Sequence, residues 1–117
     1  MNIEEFRDYC LALEGVKEKT PFGKFSQRFD SLLVFYVCDH MFCMADMDDF
    51  SSVSFRSTGE EIGEMREQYS AVTTPLNKAM KLWLTVNLNE DMPDVVIFRC
   101  VRRAYEIVKE KYTKQKR

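Results

Sequence analysis

The stretch that decides the fold is a central apolar segment, LLVFYVCDHMFCMA, which spans residues 32–45. Residues 32–38 are rich in β-branched and aromatic side chains, and residues 41–45 continue in the same way. Side chains of these types favour β-strands. Asp39 and His40 lie between the two halves, and this polar pair predicts a tight turn. The segment is therefore predicted to form an antiparallel hairpin.

The two predicted hairpin strands lack a clean alternation of apolar and polar residues. Two arrangements stay open on this pattern: both faces of the hairpin are covered, or one face is covered and the other is half-exposed. Val53 and Phe55 do alternate with polar neighbours. That alternation predicts a third strand with one face toward solvent.

Helical patterns lie on both sides of these strands. Asn2 with Glu5, and Thr58 with Glu61, have the spacing of capping boxes that begin helices. Gly15 suits the position just past the first helix, and Pro93 suits the first turn of the last one. The predicted elements are helices over residues 2–14, 58–69 and 93–112, a strand over 82–88, a turn over 20–23, and irregular chain over 70–78.

These elements predict a single α+β domain over residues 1–117, with a central antiparallel β-sheet and the N- and C-terminal helices packed on it. A chain of 117 residues with 45% hydrophobic and 31% charged residues is typical of one globular domain. No apolar run approaches the roughly 20 residues that span a bilayer. The acidic N-terminus argues against a secretory signal, so we expect a soluble, cytoplasmic protein without a membrane partner.

The cysteines are dispersed, and none of them forms a C-x-x-C pair. With a single histidine, His40, the chain has no zinc-finger pattern. We expect the four cysteines to be buried, reduced thiols that act as small hydrophobic residues. They are Cys10, Cys38, Cys43 and Cys100.

Positive charge is concentrated at the C-terminal end. Residues 99–117 hold eight basic and two acidic residues, a net charge of +6, while the whole chain has a net charge of −2. Residues 1–98 therefore have a net charge of −8. Projection of the last helix at 100° per residue places five cations opposite the apolar stripe. A basic face on an acidic body favours contact with a phosphate-bearing or acidic partner.

Several short motifs recur in a characteristic order. They are IEEFRDYCL at 3–11, EGVKE at 14–18, PFG at 21–23, LVF at 33–35, MF at 41–42, MREQY at 65–69, WLTV at 83–86, and Pro93 followed by AYEIV at 104–108. This set resembles the MmcQ/YjbR family of small bacterial proteins over nearly the whole chain. The resemblance implies a CyaY-like fold and a role in DNA binding. The family's usual Asn-Lys-x-His-Trp pattern is altered, since Ala79 and Leu82 stand at its Asn and His positions.

The candidate nucleic-acid-binding residues are of two kinds: cations of the last helix, and a tryptophan with nearby lysines that could stack on a base. They are Lys78, Lys81, Trp83, Arg99, Arg102, Arg103, Lys109 and Lys114. A plainer interpretation stays open for each kind. Glu106 and Glu110 lie within the basic band and form i,i+3 or i,i+4 pairs typical of a solvated helix. A tryptophan within an apolar strand is usually part of the core.

Two other functions stay open, and both make the protein a non-enzymatic binder. One is a protein-interaction module that uses the acidic body or the aromatic hairpin. The other is a weak CyaY-like metal site on the acids of the first helix, or on the run Asp46, Asp48 and Asp49, which lacks the pattern of a calcium loop. His40 with Cys38 or Cys43 could suggest nucleophilic catalysis, but no third group that would orient them is evident. The chain also lacks nucleotide-binding and nucleophile-elbow motifs, so we expect neither an enzyme nor a cofactor. We expect a monomer.

Overall fold

The computed structural model describes residues 1–19, 32–73 and 81–114, with side chains as far as Thr113. In these ranges the chain forms three helices and six strands, in the order α1 (Ile3–Leu11), β1 (Lys17–Lys19), β2 (Leu32–Val37), β3 (His40–Asp46), β4 (Ser52–Arg56), α2 (Gly59–Gln68), β5 (Val72–Thr73), β6 (Trp83–Asn87) and α3 (Asp94–Lys114). The strands form one antiparallel sheet in the order β1-β2-β3-β4-β6-β5. The predicted α+β class is confirmed. The turn predicted over 20–23 lies outside the described residues.

The predicted hairpin is formed by β2 and β3, but its turn lies one residue earlier than expected. Cys38 and Asp39 are the turn residues, with φ of 53° and 65°, and His40 already pairs with Val37 in the sheet. Two positive φ values are what a two-residue hairpin turn requires to match the strand twist. The His40 ring stacks on Tyr112 of α3, with centroids 3.4 Å apart. His40 belongs to β3 because it pairs with Val37, and its ring also contacts α3.

A bulge explains why β3 does not alternate. Phe35 pairs with Cys43 whereas Tyr36 pairs with Met41, so Phe42 is the additional residue. Phe42 and Cys43 are consequently both buried. On β2, Val34 is fully buried although it lies on the face opposite Leu33 and Phe35. The hairpin is therefore covered on both faces at Val34 and half-exposed on the second face at Tyr36.

Two short strands were not predicted. β1 is a run of three charged residues that pairs with β2 at the sheet edge, where Glu18 forms an ion pair with Arg7 of α1. β5 lies in the segment predicted to be irregular and pairs with β6. The Asp91 carboxylate accepts hydrogen bonds from the N–H groups of Ser70 and Ala71, both at 2.7 Å, just before β5. The Ser70 bond is the largest cause that lowers the pKa of Asp91.

The helix boundaries follow local capping. The Asn2 side chain accepts from the Glu5 N–H, and Thr58 accepts from the Glu61 N–H, so both predicted caps are confirmed. α1 ends at Leu11 instead of residue 14, because the chain tightens into a bond from the Leu13 N–H to the Cys10 carbonyl.

The core lies between one face of the sheet and the helices. Phe6 of α1 contacts Phe35 edge-on, Tyr105 of α3 contacts Phe42 in the same way, and Ile62 of α2 joins the same cluster. Helix α3 crosses β2, β3 and β4, with α1 on one side of it and α2 on the other. This arrangement leaves a concavity on each side of α3.

The four cysteines are free thiols, as expected, but burial divides them into two pairs. Cys10 and Cys43 are buried in the core, whereas Cys38 and Cys100 are half-buried. Cys38 is less buried than predicted because it lies in the hairpin turn. Cys100 is less buried because it lies at the edge of the α3 apolar stripe.

Candidate functional site: two concavities beside the C-terminal helix

The predicted basic band of α3 is divided between two concavities. Arg99 and Arg103 line a cleft on the α2 side, whereas Arg102 and Lys109 line a groove on the α1 side. The arginines are exposed and Lys109 is half-buried. Lys114 is the last residue of α3, and nothing is described of its side chain; Lys78 lies outside the described residues.

The α2–α3 cleft has a volume of about 210 Å³ and lies where β4 and β6 pass beneath the two helices. Its floor consists of core residues, its walls of half-buried side chains, and its rim of charged ones. The floor is formed by Phe55 and Leu84, and the walls by Met65 and Cys100. The charged residues are Glu61, Arg99, Arg103 and the half-buried Arg56. The cleft therefore combines an apolar interior with a cationic rim.

One ion pair closes the α2 end of this rim. The Thr58 hydroxyl caps α2 and also donates to Glu61 Oε2 at 3.3 Å, while Arg103 Nε donates to Glu61 Oε1 at 3.0 Å. Both charged side chains keep contact with solvent, with 50% and 32% of the side chain exposed for Arg103 and Glu61. Within the described residues, Arg99 makes no such ion pair. Arg56, which also lines the cleft, likewise forms no ion pair with a side chain that the structure describes.

The Cys100 thiol lies in the wall of the cleft. Burial is the largest cause that raises its pKa to about 11; the Glu61 charge raises it further and the Arg99 charge opposes both. At neutral pH the group is a protonated thiol, so it contributes an apolar surface rather than a charge.

The α1–α3 groove is wider, with a volume of about 640 Å³, and it has the opposite charge balance. Its charged lining consists of two cations and three glutamates: Arg102, Lys109, Glu14, Glu106 and Glu110. The glutamates expected to interrupt the basic band therefore lie on this side of α3. The groove has no excess of positive charge.

Lys109 is held in place within that groove. Its Nζ donates to the Tyr105 hydroxyl at 3.1 Å, and this hydroxyl donates to the Glu14 carbonyl at 2.6 Å. The bond to Tyr105 is the largest cause that raises the pKa of Lys109. The same chain of hydrogen bonds ties the turn after α1 to α3, so Lys109 is a structural residue as well as a cation.

Trp83 and Lys81 lie apart from the α3 cations. Trp83 is half-buried at the start of β6, where it pairs with Arg56. Its neighbour Leu84 points into the core, so Trp83 points to the other face of the sheet, away from α3. Lys81 and Leu82 are exposed in the preceding turn. The tryptophan candidate and the α3 candidates therefore belong to different faces.

The hairpin offers little aromatic surface. Phe35 and Phe42 are fully buried, and only Tyr36 is half-exposed. At its tip, Cys38 Sγ lies 3.7 Å from the Thr113 hydroxyl while His40 stacks on Tyr112. Cys38 and His40 therefore both contact the end of α3.

The acidic run after β3 is organised as a turn. The Asp46 carboxylate accepts hydrogen bonds from the backbone N–H groups of Asp48 and Asp49, at 2.9 Å and 3.2 Å. Among the residues that the structure describes, no three His, Cys, Asp or Glu side chains are grouped so as to hold a metal ion. Over the same ranges, no helix is long and apolar enough to cross a bilayer.

Known proteins share both the sequence pattern and the fold. The YjbR family model matches residues 11–107. A DUF419-domain protein of Deinococcus radiodurans superposes with a TM-score of 0.76 and 26% sequence identity, over 94% of this chain and 80% of that one. A crystal structure from Pseudomonas syringae has a TM-score of 0.71 and 18% identity, over 92% of this chain and 98% of that one.

A solution structure from the same bacterium has a TM-score of 0.68 and 18% identity, over 92% of each chain. At this identity the two Pseudomonas structures support the fold alone. No curated protein sequence matches this chain significantly. Because the family model covers most of the chain, and the three-dimensional fold agrees, the chain belongs to the YjbR family.

Proposed function

We propose that this protein is a monomeric, non-enzymatic binding protein whose α3 cations contact DNA phosphates weakly and without sequence preference. The observation that supports this most is the exposure of Arg99, Arg102 and Arg103 within about one turn of one helix. Exposed arginines at this spacing suit phosphate oxygens, which carry no sequence information. Trp83 is left out because it points to the other face of the sheet, and Lys81 because it lies in the turn before β6, apart from α3.

The number of available cations limits the affinity. Arg103 pairs with Glu61, and Lys109 is bonded to Tyr105. Two to three phosphate contacts are therefore the reasonable expectation. Each contact adds about −0.9 to the slope of log K against log salt. The affinity for duplex DNA should then fall roughly 10- to 40-fold between about 50 and 200 mM salt.

Fluorescence anisotropy with a labelled duplex of about 20 base pairs tests this proposal. Arg99→Gln with Arg102→Gln should abolish binding, because it removes the two exposed arginines of α3 that form no ion pair with a described side chain. Lys17→Gln with Lys19→Gln removes the same charge from the sheet edge and should leave the affinity within about twofold. Unchanged anisotropy of the wild type at low salt, or equal losses in both double variants, would contradict the proposal.

A further inference from the structure

We infer that the α2–α3 cleft is a binding site for a small amphipathic anion, a carboxylate with an aromatic or branched apolar body. The ligand of this site is not nucleic acid, and the cleft interior plays no part in the proposed DNA contact, although Arg99 belongs to both. The inference rests on the volume of the cleft, its lining and the charge at its rim.

The volume sets the size of the ligand. An apolar cavity of about 150 Å³ binds benzene. The cleft, at about 210 Å³, has room for such a ring and one head group. The cleft is smaller than the roughly 300–1,000 Å³ pockets that are typical of drug-sized ligands.

The lining sets the character of the body. Phe55 and Leu84 are almost fully buried and form the floor, and the Met65 thioether can adjust to a ring. Cys100 adds a protonated thiol. Ser57 is 6% exposed and is the one buried polar residue within the described ranges; it also lines the cleft. A mainly apolar interior suits an aromatic or branched apolar body.

The charged residues of the rim determine the charge of the ligand's head group. Arg103 is engaged by Glu61, and its Nε is the donor to that carboxylate. Arg99, one helical turn earlier, forms no ion pair with any side chain that the structure describes. A guanidinium at the mouth of an apolar cleft favours a carboxylate that binds through two N–H donors. The ligand therefore has its apolar body inside and its carboxylate at Arg99.

Benzoate is the probe that matches these requirements. A titration followed by NMR, with the Met65 methyl and the Ser57 and Cys100 amides as reporters, should give one saturation curve in the millimolar range at all three positions. Acetate has the head group without the ring, and benzyl alcohol has the ring without the charge. Each should bind at least about tenfold more weakly, because both parts of the cleft are required.

Variants separate the rim from the interior. Arg99→Gln should weaken benzoate about tenfold and leave benzyl alcohol unchanged, whereas Lys19→Gln, on the far edge of the sheet, should change neither. Cys100→Phe should fill the cleft and abolish binding of both; Met65→Phe replaces it if that variant does not fold. Non-saturating shifts, shifts spread over the surface, or equal binding of benzoate and benzyl alcohol would overturn the inference. If the protein binds benzoate but not duplex DNA, the inference about the cleft is supported and the nucleic-acid proposal is rejected.

Discussion

On one side of α3, Arg99 and Arg103 stand over the apolar floor of the α2–α3 cleft. On the other side, Arg102 and Lys109 share the α1–α3 groove with three glutamates. These four cations belong to one helix and were expected to form one band. The residues that α1 and α2 bring beside them make the two sides electrostatically different. A helical projection therefore locates charges, but the neighbouring elements decide what those charges can bind.

The largest difference between the two sides should be in how much their apolar side chains contribute to the stability of the protein. Phe55→Ala removes a fully buried ring from the cleft floor and should lower the free energy of unfolding by about 3–5 kcal/mol. Leu13→Ala in the groove removes a half-buried side chain and should cost about 1 kcal/mol. Urea denaturation followed by circular dichroism measures both values. Equal losses would show that the two floors are equally buried, contrary to the structure.

The next largest effect should be on the reactivity of the Cys100 thiol in the cleft wall. A pKa raised from 9.0 to about 11 leaves roughly 100-fold less Cys100 thiolate at pH 8. Alkylation of Cys100 by iodoacetamide should therefore be slow at pH 8 and rise about tenfold per pH unit toward pH 10. Peptide mass spectrometry resolves the individual cysteines, and the rate after unfolding in urea provides the control. A rate at pH 8 equal to that of the unfolded chain would contradict the burial of this thiol.

The smallest difference between the two sides should be in the stability that their polar contacts contribute. Tyr105→Phe removes the hydroxyl that joins Lys109 to the Glu14 carbonyl, and should cost about 1–2 kcal/mol because that hydroxyl is on a buried ring. Arg103→Gln breaks the ion pair with Glu61, and should cost only about 0.2–1 kcal/mol because both side chains reach solvent. Chemical denaturation in low and high salt checks both. A larger loss of stability for Arg103→Gln than for Tyr105→Phe would contradict this prediction.

The secondary structure was largely predictable because its causes are local. The strand composition of residues 32–45, the caps Asn2 and Thr58, and Pro93 before α3 each act over a few residues. The strand around Trp83 was also correct to within a residue at each end. The errors were at places where pairing between distant residues decides the conformation, such as β5, which pairs with β6.

The candidate site was predictable only in part. Charge and periodicity located the cations of α3, but no sequence signal assigned Arg99 and Arg103 to a cleft with Glu61. The one hint was the position of Glu61 in the α2 capping box, which left its carboxylate close to the helix N-terminus. Trp83 was grouped with the α3 cations by residue type, and the alternation of β6 places it on the other face of the sheet.

The sequence by itself determined the kinds of element, their order, the apolar stripe of α3 and the concentration of positive charge near the C-terminus. Tertiary structure alone decided the bulge at Phe42, the edge strands β1 and β5, and the division of the α3 cations between the α2–α3 cleft and the α1–α3 groove. The physical reason is the range of the interactions. Propensity and capping act between neighbours in the chain, whereas Arg103 and Glu61 are 42 residues apart and Tyr105 and Glu14 are 91 apart.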